Sequence, residues 1–178
     1  SHRHSVVQRP GQSPDRKPRW RRAVARHLRK VPTHNHGDRT HARSKLVGWL
    51  PLGLLSVRWQ SNAAGVLATR SIATEYLDMV RELKLLTDHI GVSLVDKGPY
   101  RVATWCKGST DTALEHVMTS PLTTSNAIHS AFQDIKKGIV TEFSSCVGPI
   151  LEKANKASVA IPNVQSAYSE LMALEATL

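Results

Sequence analysis

Residues 130–142 read Ser130-Ala-Phe-Gln-Asp-Ile-Lys-Lys-Gly138-Ile-Val-Thr-Glu142, and the stretch closes on Val159-Ala-Ile-Pro162. Two apolar segments at helical spacing flank a short polar joint. In the first, Ile128, Phe132 and Ile135 recur at the helical period, and Gly138 is placed to end the helix. In the second, Thr141 is placed to cap a helix whose apolar face is Phe143, Val147, Ile150 or Leu151, and Ala154. Glu142 then falls in the first turn, where free backbone N–H groups favour an anion. Ser130 sits upstream on the neighbouring helix. A helix, a joint and a capped helix can bring a hydroxyl and a carboxylate to one cleft. The plainer reading is a Glu that merely suits a helix start and a Ser that is solvated or bonded to its own turn.

The flanks extend the helical pattern in both directions. Ile72, Tyr76, Met79, Leu83, Leu86 and Ile90 step by fours and threes, with Ser71 or Thr74 as cap and Gly91 as stop. That stripe is one side of a bundle. A Lys-Gly-Pro turn follows between Asp96 and Pro99, then shorter helices over Tyr100–Lys107 and Thr110–Met118, split at Gly108. Ser120 and Pro121 open a loop to Asn126, and a last helix runs over Val164–Leu174. No strand pattern, repeat or G-x-G-x-x-G loop is present. The expected fold class is all-α, a helical bundle over residues 61–178 behind a basic, disordered extension over residues 1–60.

Charge separates the two parts. Residues 1–60 hold 14 Lys and Arg against Asp15 and Asp38, whereas residues 61–178 hold 10 against 12 acids. The overall +10 therefore belongs to the front third, and nucleic-acid binding is not expected of the bundle. Residues 1–44 combine Pro10, Pro14, Pro18 and Pro32 with six His, many Arg and few large aliphatics, a composition that cannot offset chain entropy. A short helix over Arg19–Leu28 is the one ordered element expected there. His34 and His36 make a His-x-His without a third ligand at a defined spacing, so no metal is expected. The Arg runs also suit a mitochondrial presequence. The chain starts at Ser1 and its first Met is Met79, so the expectation is a fragment with a non-native leader.

Leu46–Val57 is apolar but too short to span a membrane, and Pro51 is expected to break it as a helix; a packed or interfacial segment is expected. Cys106 and Cys146 form neither a metal motif nor a disulfide framework, which gives a reduced, cytoplasmic setting as the default, with Cys146 in a packing role.

Ser130, Gln133, Asp134, Thr141, Glu142, Gly148, Ile161 and Pro162 form the pattern Ser-x-x-Gln-Asp, Thr-Glu, Gly, Ile-Pro. It resembles the C-terminal domain of the ketopantoate reductase (2-dehydropantoate 2-reductase) family, without gaps from Ser130 to Pro162. The flanks, from about Ile72 to Leu178, match in helix pattern only. The chain departs from the family at Ala131 (usually Met), at Val147 (usually Asn) and near Ser158 (usually Gly).

The resemblance implies an NADPH-dependent reduction of 2-dehydropantoate, or a related keto acid, on the route to pantothenate. The cofactor would lie on a Rossmann domain absent from this sequence, with the helical domain closing over the substrate. It implies Glu142 as the active-site carboxylate, Ser130 as a substrate contact, and Asn126 as a further polar contact. It extends to a homodimer through the helical domain. The family's proton donor is a Lys followed four residues later by an Asn, on the first helix of that domain. Matching that Asn to Asn62 puts Arg58 at the Lys position, and an Arg keeps its proton too firmly for a general acid, so neither is assigned. The alternatives are a catalytically inactive helical interaction module and a basic-tailed nucleic-acid binder.

Overall fold

The computed structural model describes residues 36–178, with side-chain surroundings from residue 40 onward. The expectations for the basic stretch, its short helix and the His34–His36 pair fall wholly or partly outside the described residues.

The first element, α1 (His36–Arg58), corrects two expectations at once. The bundle begins well before residue 61, and Pro51 sits inside a continuous helix. Proline removes one backbone bond and costs about 3 kcal/mol in a helix interior. Leu50, Leu52, Leu54 and Leu55 are each at most 3 % exposed. Burying one such side chain is worth about 1.5–3 kcal/mol, so four of them outweigh the proline. A helical segment apolar on all sides belongs in the middle of a bundle, and residues 46–57 of α1 lie there.

The other elements are α2 (Ala63–Ala68), α3 (Arg70–His89), α4 (Val102–Trp105), α5 (Thr110–Met118), a 3-10 turn η1 (Pro121–Thr124), α6 (Ser130–Lys136), α7 (Phe143–Lys156) and α8 (Pro162–Glu175). Among the described residues there is no strand, only one bridge between Lys97 and Tyr100 at the tight turn through Gly98. The all-α expectation holds.

The core forms where α1, α3 and α8 meet. Tyr76, Leu77, Met79 and Val80 of α3 are fully buried. The Tyr76 hydroxyl donates to the Gly48 carbonyl of α1 at 3.0 Å, and its ring meets Trp105 edge-on at 5.9 Å. Arg58 ties the same three helices together on the outside. Its guanidinium forks onto Glu170 of α8 at 2.7 Å and pairs with Glu75 of α3.

Helix ends follow local chemistry. Gly91 and Gly138 take φ of +70° and +67° and close α3 and α6, as expected. At Gly138 the two closing bonds run from Gly138 N–H to Ile135 O and from Ile139 N–H to Asp134 O. The starts differ more. Helix α3 begins behind Thr69 with no capping side chain, and Thr74 bonds back to the Arg70 carbonyl inside it, so neither Ser71 nor Thr74 caps. Helix α6 begins at Ser130, which leaves Ile128 outside it and 40 % exposed. The segment over Tyr100–Lys107 forms only the single turn α4.

Helix α7 closes in the same geometry as α3 and α6, but its left-handed position is Ser158, at φ +53°. An L-residue there costs about 1–2 kcal/mol relative to glycine. Ser158→Gly is therefore expected to raise stability by about 0.5–1 kcal/mol, after the greater freedom of glycine in the unfolded chain is subtracted. Urea unfolding measures it, and an unchanged or lower midpoint would contradict the strain argument.

Candidate functional site

The joint between α6 and α7 is built from short-range contacts. Gly138 reverses the chain, and Thr141, 4 % exposed, anchors it. The Thr141 N–H donates to Glu175 Oε1 of α8 at 2.7 Å, and its hydroxyl accepts the Phe143 N–H at 3.2 Å. Thr141 thus serves the start of α7 as expected, although the residue at the helix boundary is Glu142. Glu142 makes no side-chain cap bond and its side chain is exposed. Ser130 is the first residue of α6 and exposed. Asn126 is exposed in the connection before α6, off the helix that carries Ser130.

An aromatic cluster lies between these residues and α1. The Trp49 ring stacks on Phe143, the first residue of α7, with centroids 5.3 Å apart. It also packs on His129, the residue before Ser130, at 4.5 Å. The His129 and Phe143 rings meet edge to face at 5.7 Å. The residue before α6 and the first residue of α7 therefore sit on one face of α1.

That face also carries Lys45. Lys45 is the one lysine of α1, lies one turn ahead of Trp49, and is exposed. The sequence reading passed over Lys45 because it sought the domain's first helix at residues 61–68. The signal was available: the true first helix contains a single Lys, and residue 49 stands four positions on. The residue there is Trp49, not Asn. Arg58 and Asn62, left unassigned from the sequence, have structural work. Arg58 is held by two carboxylates, and the Asn62 side chain caps α2 by accepting the Gly65 N–H at 2.8 Å.

Electrostatics distinguish the cluster from its surroundings. Burial pushes the His129 ring down to about 4, so it is neutral near pH 7. A histidine with a lowered folded-state value gives stability that is complete above its ordinary value of about 6.5 and is lost as pH falls toward about 4. Burial pushes the Cys106 thiol up to about 11 and raises Cys146 too, and both cysteines are free. Neither is a ready nucleophile. Among the described residues no cluster of His, Cys, Asp and Glu could hold a metal, and no helix is long and apolar enough to cross a membrane.

Chemically, the exposed Ser130 hydroxyl and Glu142 carboxylate lie at the two sides of the joint, and Lys45 lies on α1 one turn from Trp49. That set can bind a carboxylate, orient a carbonyl and deliver a proton. It offers no phosphate-binding loop and no sheet edge for a dinucleotide. Among curated proteins, none matches this chain. Residues 39–175 match the family described as "Ketopantoate reductase PanE/ApbA C terminal". The match begins in α1 and ends in α8, so it spans the bundle from its first helix to its last. The chain belongs to the ketopantoate reductase C-terminal domain family.

Proposed function

We propose that residues 36–178 form the substrate-closing half of an NADPH-dependent reductase of 2-dehydropantoate or a related keto acid. The observation that carries this reading is the packing of α1, α6 and α7 around Trp49, His129 and Phe143, which gathers the elements bearing Lys45, Ser130 and Glu142. The described residues do not fit NADPH itself, so its site lies on a dinucleotide-binding domain that they do not include. Bound there, NADPH would supply a hydride to the keto carbon.

This chain's own residues hold the other end of the reaction. Lys45 donates a proton to the keto oxygen as that oxygen gains charge. Ser130 donates a hydrogen bond to the substrate carboxylate, with Asn126 as a further polar contact. Glu142 orients the Lys45 ammonium and accepts from substrate hydroxyls. The floor of Trp49 and Phe143 keeps water from beneath the carbonyl.

A second reading has its own observation. Trp49 stands where the family's Asn follows the Lys, and Val147 stands where an Asn precedes Gly148. Losing two polar groups suits a bundle that kept the fold and lost the chemistry, an inactive interaction module.

One experiment separates them. The dinucleotide-binding domain of an active ketopantoate reductase is joined ahead of residue 36, and NADPH oxidation is followed with 2-dehydropantoate. The reductase reading expects keto-acid-dependent turnover by the chimera and none by the 178-residue chain alone. A folded, NADPH-binding chimera without turnover would favour the inactive module.

A further inference from the structure

We propose that His129 is the positioning residue for Ser130, an aromatic wedge that seats α6 on α1 and fixes where the Ser130 hydroxyl stands. The role in substrate binding rests on the reading of Ser130 given above; the wedge itself does not.

Two independent contacts hold the ring. At one end, Nδ1 accepts the Ala131 N–H at 3.3 Å, so a histidine caps α6 where Ser, Thr or Asp is usual. An accepting Nδ1 places the ring proton on Nε2. Nε2 is closed off from water and makes no hydrogen bond. The second contact is the seat. Trp49 and Phe143 flank the ring, and Gly53 lies beneath it. A Cβ on Gly53 would come within 2.4 Å of His129 Cε1 and 2.7 Å of Nε2. Only a residue without a side chain lets the ring lie against the backbone of α1.

Helix α6 spans seven residues; Ala131 and Phe132 bury into the core and Ile135 packs against it, while the start of the helix, at Ser130, is exposed. Ser130 is the next residue after the wedge, so a shift of the ring carries its backbone along. His129 has no direct chemistry to perform, because one nitrogen is used by the cap and the other is shut in.

Two variants divide the contacts. His129→Phe keeps an aromatic ring and removes the cap acceptor, whereas His129→Asn keeps an acceptor and removes the ring. In the full chain, each is expected to speed amide hydrogen exchange at Ala131 and Phe132 by about tenfold, with the α8 amides unchanged. In the reductase chimera, each is expected to lower kcat/KM for 2-dehydropantoate by about tenfold, mainly through KM. In a Ser130→Ala background the same changes are expected to cost less than about twofold, because the contact they position is gone. Unchanged exchange in α6 in both variants would overturn the proposal. So would an undiminished kinetic effect in the Ser130→Ala background, since His129 would then act on the fold at large. A wild-type chimera without turnover, alongside variants that still loosen α6, would support the wedge and overturn the reductase reading instead.

Discussion

Lys45→Met in the reductase chimera is expected to lower kcat/KM for 2-dehydropantoate by about 100- to 10,000-fold, the range that positioned proton donors supply. The argument starts from the helix. Lys45 projects from α1 one turn ahead of Trp49, and Trp49 is the residue that touches both His129 and Phe143. On the proposed reading, the ammonium reaches from that side of α1 toward Ser130 and Glu142. A methionine of similar length keeps the apolar stem and removes the proton. Because Lys45 is exposed, the unfolding midpoint should not move. Lys45→Arg should not restore activity, since a guanidinium keeps its proton throughout the working range and holds its donors in a different geometry. A loss under about threefold would mean that the proton comes from elsewhere.

Glu82→Ala is expected to cost about 3 kcal/mol of stability, the largest effect of any single polar change in the bundle. Helix α8 starts with Pro162 behind Ile161 and has no capping side chain of its own. The cap comes from α3. Glu82, 8 % exposed, accepts the Asn163 backbone N–H at 2.9 Å and its side-chain amide at 2.7 Å on Oε1, and the Val164 N–H at 3.0 Å on Oε2. The carboxylate also meets the positive end of the α8 dipole. Truncation leaves the buried Val164 N–H and the part-buried Asn163 donors unpaired, each unmade bond costing about 1–3 kcal/mol before relaxation. Glu82→Gln keeps one acceptor and sets an amide against the remaining N–H, so it should fall between wild type and Ala. Urea unfolding with an unchanged slope measures both. A cost below about 1 kcal/mol for Ala would mean that water or a shifted helix satisfies the donors.

These two residues show what the sequence could reveal. The stripe from Ile72 to Ile90 and the stops at Gly91 and Gly138 were legible because they depend on neighbours three to five positions away. The pattern from Ser130 to Pro162 was legible for the same reason, and the family followed from it. Helix α1 was hidden twice. Its apolar residues lie all around the axis and so carry no period, and Pro51 argues against a helix unless the gain from four buried leucines is known. With α1 misread, Lys45 was not considered as a candidate. Glu82 and His129 were hidden differently. The donors that Glu82 satisfies lie 81 and 82 residues away, and the seat of His129 is a glycine on another helix. Spacing along a chain does not report contacts of that kind.

The arrangement of the site depends on α1 lying against the joint of α6 and α7. Nuclear Overhauser contacts between the Trp49 and His129 rings in the full chain test this most directly. The account predicts strong ring-to-ring cross-peaks, as centroids 4.5 Å apart require. Their absence, in a chain whose Tyr76 and Trp105 rings still show contacts at 5.9 Å, would contradict it. The bundle would then be folded, but the residue before α6 and the first residue of α7 would not share the Trp49 face of α1.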